Sequence, residues 1–248
     1  MNLKNVIGVL LLLSLHSKFA FGELRKVSEI MAGIRPQTIT LILGEKLYTF
    51  EVFRVYNAGQ NIFEQEFEGG FVGLNVTLDA TQSIDERLIL NGNNIASNAL
   101  VVGNVVLGGN AKIFDNAIVG DNARVFGDAQ IADNAIVGGN ARVFGDAQIT
   151  DSAMVGGNAK IFGNAKIYEK AKVYGDAIIC DLTWISGRAK IFGDAHLYGE
   201  TWIDKNEVIS DKIVSKTKIN NFYENLILET PKIEDQEPDL SSLIDFHE

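Results

Sequence analysis

From Ile95 to Ile203 every sixth residue of the chain is Ile, Val or Leu, without exception over 19 positions. Such a period fits neither the 3.6-residue repeat of a helix nor the alternation of one long strand. From Ala99 onward the residue two places before each aliphatic is Ala, replaced only by Val105, Thr183 and Thr201. The residue before that small one is mostly Asn or Asp, as at Asn98 and Asp194, so the unit is Asn/Asp-Ala-x-Ile/Val-x-Gly. A β-branched aliphatic suits a short buried strand, and Ala fits where the chain turns inward with no room for a larger group. Asn, Asp and Gly accept the left-handed backbone of a tight corner. One unit is therefore one strand plus one corner. It cannot bury its apolar side alone and must stack on copies of itself.

A longer period sets the cross-section. Gly120 to Val137, Gly138 to Val155 and Gly156 to Val173 align almost residue for residue, with Arg124-Val125-Phe126, Arg142-Val143-Phe144 and Lys160-Ile161-Phe162 in step. Three strands and three corners per coil make a triangular solenoid. About six coils at ~4.8 Å per rung give a length of about 29 Å. The same geometry explains why 15 of the 24 glycines lie between Asn93 and Asp204 while Pro36, Pro231 and Pro238 lie outside. Glycine serves the corners, and proline would remove an N–H from the ladder.

Units such as Gly163-Asn164-Ala165-Lys166-Ile167-Tyr168 and Gly193-Asp194-Ala195-His196-Leu197-Tyr198 resemble the hexapeptide-repeat, left-handed parallel β-helix superfamily. The resemblance covers a little under half of the chain, and the left hand comes from it alone, since parallel crossovers are otherwise overwhelmingly right-handed. Gly69-Gly70-Phe71 ahead of the repeats is similar to the lead-in of poorly characterised bacterial and phage hexapeptide proteins. The expected fold is thus all-β, a left-handed parallel β-helix with a small β-rich N-terminal cap and an acidic C-terminal tail.

Residues flanking each buried aliphatic point outward, so the three faces can be read as columns. The first carries Arg124, Arg142 and Lys160 beside Phe126, Phe144 and Phe162, then Ile178/Cys180 and His196/Tyr198. It reads either as a surface for an anionic or glycan ligand or as an aromatic ladder with solvated charges. The second runs from Gln130 and Gln148 to Lys166/Tyr168, Trp184 and Trp202. The two Trp should stack, and with Tyr168 they offer a ligand platform, unless Phe222, Tyr223 or Leu226 fold back over them. The third has Leu100, Ile118, Ile136 and Met154 beside Val102, Gly120, Gly138 and Gly156. Exposed apolar stripes mark interfaces, so this face is expected to join copies of the chain; the alternative is cover by the N-terminal segment.

Outside the repeats, residues 1–22 carry Lys4, an apolar run from Val6 to Leu15 and Ala20-Phe21-Gly22. The run is short for a membrane span and suits a cleaved secretory signal, which implies a secreted or periplasmic protein with no membrane span after cleavage. Residues 23–92 form the cap, with strands at Thr38 to Leu43 and Leu47 to Tyr56 and a third including Phe71 to Leu78. The repeats occupy 93–204, a C-terminal cap 205–228 and the tail 229–248. That tail holds seven acidic residues against Lys232, a net −6 of the chain's −10. Lone Cys180 excludes an internal disulfide. Nucleic acid is not expected as a partner of an acidic, exported chain without a binding motif.

Many proteins of the resembled fold are acyltransferases that use a His general base near loops interrupting the coils. Here only His196 lies in the repeats, beside His16 and His247 outside them, and no insertion breaks the period. His196 is the one weak catalytic candidate. Zinc hydration chemistry needs three His ligands, and no metal or other cofactor is expected. Calcium would find oxygen ligands at the corner acids Asp128/Asp146 or Asp133/Asp151/Glu169, but their repeat is not the calcium-binding nonapeptide. The reading is an exported, self-associating structural or interaction scaffold without chemistry of its own. Its rivals are an acyltransferase and a glycan or cell-surface binding module.

Overall fold

The computed structural model describes residues 25–43, 46–57, 67–78, 81–84, 87–90 and 94–215. It is nearly all β, a parallel β-solenoid of about six turns with stacked coils. From Asn94–Ile95, Leu100–Val101 and Val106–Leu107 onward, two-residue strands recur every unit. Each pairs in parallel with the strand one coil later: Ile118 with Ile136, Arg124 with Arg142, Gln130 with Gln148. Three sheets result. The nine-stranded one bears the first face, the seven-stranded one the second and the twelve-stranded one the third.

The repeat aliphatics and alanines fill the interior. Ile113, Ile131, Ile149, Ile167 and Ile185 are wholly buried in one column, with Ala111, Ala129, Ala147 and Ala165 beside them. Each such aliphatic contributes about 1.5–3 kcal/mol before chain entropy is subtracted. The two Thr that replace Ala pair their hydroxyls within the interior. The hydroxyls of Thr183 and Thr201, both fully buried, donate to the carbonyls of Cys180 and Tyr198 at 2.7 Å.

Corners are stitched from coil to coil. The residue in the left-handed conformation is Asp115, Asp133, Asp151 and Glu169 along one edge, with φ of 59–60°, and mostly Gly along the other two. Asp133 accepts a hydrogen bond from the N–H of Asp151 (3.1 Å), Asp151 from that of Glu169 (2.9 Å) and Glu169 from that of Gly187 (2.7 Å). The next position forms amide ladders: the Asn98 side chain donates to Asn116, and Asn116 to Asn134; Asn140 donates to Asn158, and Asn158 to Asp176. The corner acids thus have a structural duty that spacing alone did not reveal.

The N-terminal strands are continuous with the solenoid. They are β1 (Arg25–Lys26), β2 (Gln37–Leu43), β3 (Lys46–Asn57), β4 (Phe67–Gly73), β5 (Thr77–Leu78), β6 (Thr81–Ile84) and β7 (Arg87–Leu90), with helix α1 (Val27–Ile30) after β1. The strand expected over Phe71 to Leu78 is broken by a turn at Leu74-Asn75. This turn is a solenoid corner. β4 pairs with Leu100–Val101 and β5 with Val106–Leu107, both parallel, so these residues begin the first coil. The β6–β7 hairpin is an excursion before the coil resumes at Asn94, and β7 pairs with β3. Val27 and Met31, 0% and 3% exposed, plug the open start of the core. At the other end the coil runs past Asp204 through Val208–Ser210 and Ile213–Ser215. Residues 1–22, which the sequence reading takes as a secretory signal, the acidic tail 229–248, and Phe222, Tyr223 and Leu226 lie outside the described residues.

The β2–β3 hairpin is amphipathic with a period of two. Ile39 pairs with Phe50 and Leu41 with Tyr48, and all four join the cluster formed with Val52, Leu100, Val102 and Ile118. The alternate residues Thr38, Thr40, Ile42, Leu47, Thr49 and Glu51 are exposed. One side of the hairpin therefore lies on the third face.

Gly139 offers a direct test of corner stacking. Its φ is +62°, and a Cβ there would stand 2.8 Å from both the nitrogen and the oxygen of Gly157. Gly139→Ala should lower the unfolding free energy by about 1–3 kcal/mol. Gly139→Asp should cost less, because Asp121 fills the same column and accepts from the Gly139 N–H at 2.6 Å. Denaturant titration of both variants measures the difference.

Candidate functional site

On the first face, strand register fixes the columns. Arg124, Arg142 and Lys160 are exposed and adjacent on successive rungs. Beside them Phe144 and Phe162 stack at 4.9 Å between centroids with planes 1° apart. Rings stacked in a ladder turn much of their faces to each other. The surface is thus a strip of cations along an aromatic rail, and charge rather than ring stacking is what it offers a ligand.

The same columns hold the catalytic candidates. His196 is half-buried between Ile178 and Ile213, its neighbours on the adjoining rungs. No acidic group sits beside it in its column to orient its ring, and no second histidine lies among the described residues. Cys180 stands two residues beyond Ile178, so register does not place it opposite His196. Burial, and secondarily the negative charge of Asp181, push the Cys180 thiol up to about 12. That is opposite to what a nucleophile requires.

On the second face Trp184 and Trp202 stack at 5.1 Å and 1°, as their spacing predicts. The Lys166 ammonium lies 5.1 Å from the Trp184 ring centroid, making a cation–π–π column. Tyr168 shares the face but stands on the other side of buried Ile167, in the neighbouring column. Trp202 is 61% exposed.

On the third face the hairpin changes the picture. Leu100 and Ile118 are 4% and 9% exposed, covered by Phe50 and Val52 of the same chain. Ile136 and Met154 are half-buried at the margin of that cluster. Of the four residues, only these two retain surface for a partner. The signal was present in the sequence: residues 38–56 alternate as an amphipathic hairpin, and such a hairpin needs an apolar face to cover.

Two clefts occur. One, about 330 Å³, lies between the hairpin and a solenoid corner and is lined by Thr49, Glu51, Asn75, Asn104, Asp121 and Asn122. Asp121 is 7% exposed and is fastened to the next coil through the Gly139 N–H. It was missed as a distinct residue, although it interrupts a column that is otherwise largely glycine. The other is an open groove along the acidic corner, from Asp151 and Glu169 to Lys205 and Asn206. Among the described residues no group of three His, Cys, Asp or Glu is placed to hold a metal ion. Asp133, Asp151 and Glu169, weighed for calcium, each spend a carboxylate oxygen on the next corner. Among the described residues no helix is long and apolar enough to cross a membrane. No protein-family model matches the chain, and no curated protein matches it either.

The thiol shift has a measurable consequence. With its pKa raised from 9.0 to about 12, Cys180 should react with a thiol reagent near pH 8 roughly a thousandfold more slowly than a free cysteine. The rate should still be climbing above pH 10. A thiol that reaches its full rate near pH 9 would contradict the burial seen here.

Proposed function

We propose that the protein is an exported, non-catalytic scaffold, a solenoid of the left-handed hexapeptide-repeat type that presents rigid side-chain columns to partners. The observation that supports this most is continuity. From Ile95 to Ile203 no insertion interrupts the coils, so no loop within the repeats builds a pocket over His196. The corner carboxylates are also committed to holding successive coils together. An acyltransferase would need both a donor-binding loop and a base with an orienting partner. Titration with acetyl-CoA is expected to give no saturable heat of binding and no rise in melting temperature. Binding that is abolished by His196→Ala would replace the scaffold with the acyltransferase.

Self-association belongs to this reading, through what the hairpin leaves uncovered. Ile42 and Leu47 pair directly across β2 and β3 and are 68% and 70% exposed. They form an apolar pair on the outer side of the hairpin suited to a second copy, separate from half-buried Ile136 and Met154 at the margin of the covered face. The native mass in solution should be that of an oligomer and should fall to that of a monomer in Leu47→Glu. A wild-type monomer would remove self-association from the function.

One observation favours a second reading, a glycan-binding module: the exposed Trp202 ring at the end of the Lys166–Trp184–Trp202 column. Polysaccharide should then quench tryptophan fluorescence, and Trp202→Ala should abolish the effect.

A further inference from the structure

The first face is electrostatically unbalanced. Arg124, Arg142 and Lys160 are exposed on three successive rungs, about 4.8 Å apart. Like charges directly opposite in a sheet destabilise it, and here they stand together in a chain whose net charge is −10. Neither outward column of this face contains Asp or Glu among the described residues. The adjoining rungs carry Val106 and Ile178 in the cation column, so the charged strip is three rungs long.

Its two borders differ in chemistry. Along one runs the corner of Asn122, Asn140 and Asn158, where Asn140 donates to Asn158 at 3.0 Å and Asn158 to Asp176 at 2.9 Å. Along the other runs the column of Phe126, Phe144 and Phe162. The corner acids Asp128 and Asp146 lie beyond that rail, and Asp128 accepts a hydrogen bond from the Asn110 amide. A ligand over the cations thus has amides on one flank and apolar ring edges on the other.

These features fit a linear, extended, anionic occupant. Single-stranded nucleic acid is held largely by bases stacked on ring faces, and the faces of Phe144 and Phe162 are turned on each other. An anionic membrane presents charge in two dimensions, whereas this strip is one column wide. A linear polyuronate matches it, since each sugar is about as long as one rung and bears one carboxylate.

We propose that the first face binds a linear acidic polysaccharide of the polyuronate class, laid along the solenoid axis over Arg124, Arg142 and Lys160. The long cationic side chains reach carboxylates on either edge of the sugar chain, the two Arg by paired N–H···O bonds. Sugar hydroxyls bond to the Asn corner, and C–H groups lie against the Phe rail. Each exposed ion pair is weak, but three carboxylates on one chain act together, so recognition requires length. This inference goes beyond the scaffold reading, which names no ligand, and is separate from the Trp202 platform on the second face.

Calorimetric titration of the full chain with galacturonic acid oligomers of one to six sugars, in about 20 mM salt, tests the proposal. Affinity should rise about tenfold or more from monomer to trimer, and less than about threefold from trimer to hexamer, because the strip ends after three rungs. R124Q/R142Q/K160Q should lose trimer binding, while K112Q/K170Q/R188Q, which removes as many cations elsewhere, should keep it. No binding by wild type, equal affinity for monomer and trimer, or equal loss in both variants would overturn the proposal. Trp202→Ala should leave trimer binding intact, and its loss there would move the site to the second face. An oligothymidylate that binds more tightly than the hexamer would assign the strip to nucleic acid instead. The length series needs only wild type, so it decides the matter if the triple variant fails to fold.

Discussion

Everything in this molecule depends on the hydrogen-bond ladder between one coil and the next. Ile118 donates to Ala135 at 2.9 Å, Gly120 to Val137 at 2.8 Å and Asn122 to Gly139 at 2.9 Å, and the pattern continues around the coil. Because each rung must match the rung above, the side chain at every position inherits the neighbours of its column. Stacked Phe, stacked Trp, amide ladders and serial carboxylates all follow from that one register. The ladder also explains the narrow choice at corners, where successive backbones come so close that the left-handed residue is mostly glycine or an acid, several of the acids hydrogen-bonding to the next coil.

The solenoid was legible in the sequence because its two periods are properties of single positions. An aliphatic every six residues and a coil every eighteen need no knowledge of distant partners, and the pairing of Trp184 with Trp202 follows from them. The first coil was harder to see. Val72 and Leu78 are six apart and Asn75 sits at a corner, but the β6–β7 hairpin separates them from Ile95, so the count starts late. The apolar third face was expected to join copies of the chain, with cover by the N-terminal segment as the alternative, and over Leu100 and Ile118 it is the β2–β3 hairpin that covers it. The alternation of residues 38–56 marks the hairpin as needing an apolar face, but which rungs it covers is set by the pairing of β3 with β4 and of β4 with Leu100–Val101, which no local pattern contains.

Charge is arranged by column as well. Cations gather on the first face, carboxylates on the corners and amides next to them. The acidic corners tolerate their like charges because each group accepts an N–H from the following coil. The cationic strip has no such internal partner among the described residues, which is why it is the most informative part of the surface.

The amide ladders all point one way, each Asn donating to the coil that follows it, as do Asn98 to Asn116 and Asn104 to Asn122. Together with the parallel strands this makes the solenoid a polar rod whose ends are not interchangeable. End-to-end joining in the same sense would be heterologous and, without closure, would grow into a filament. Here the first end is sealed by α1 and by strands β1, β3 and β7. Two of the three ladders thus run on into cap strands at that end, so it does not offer another rod the same three strand edges in the parallel sense that the far end of the described chain does.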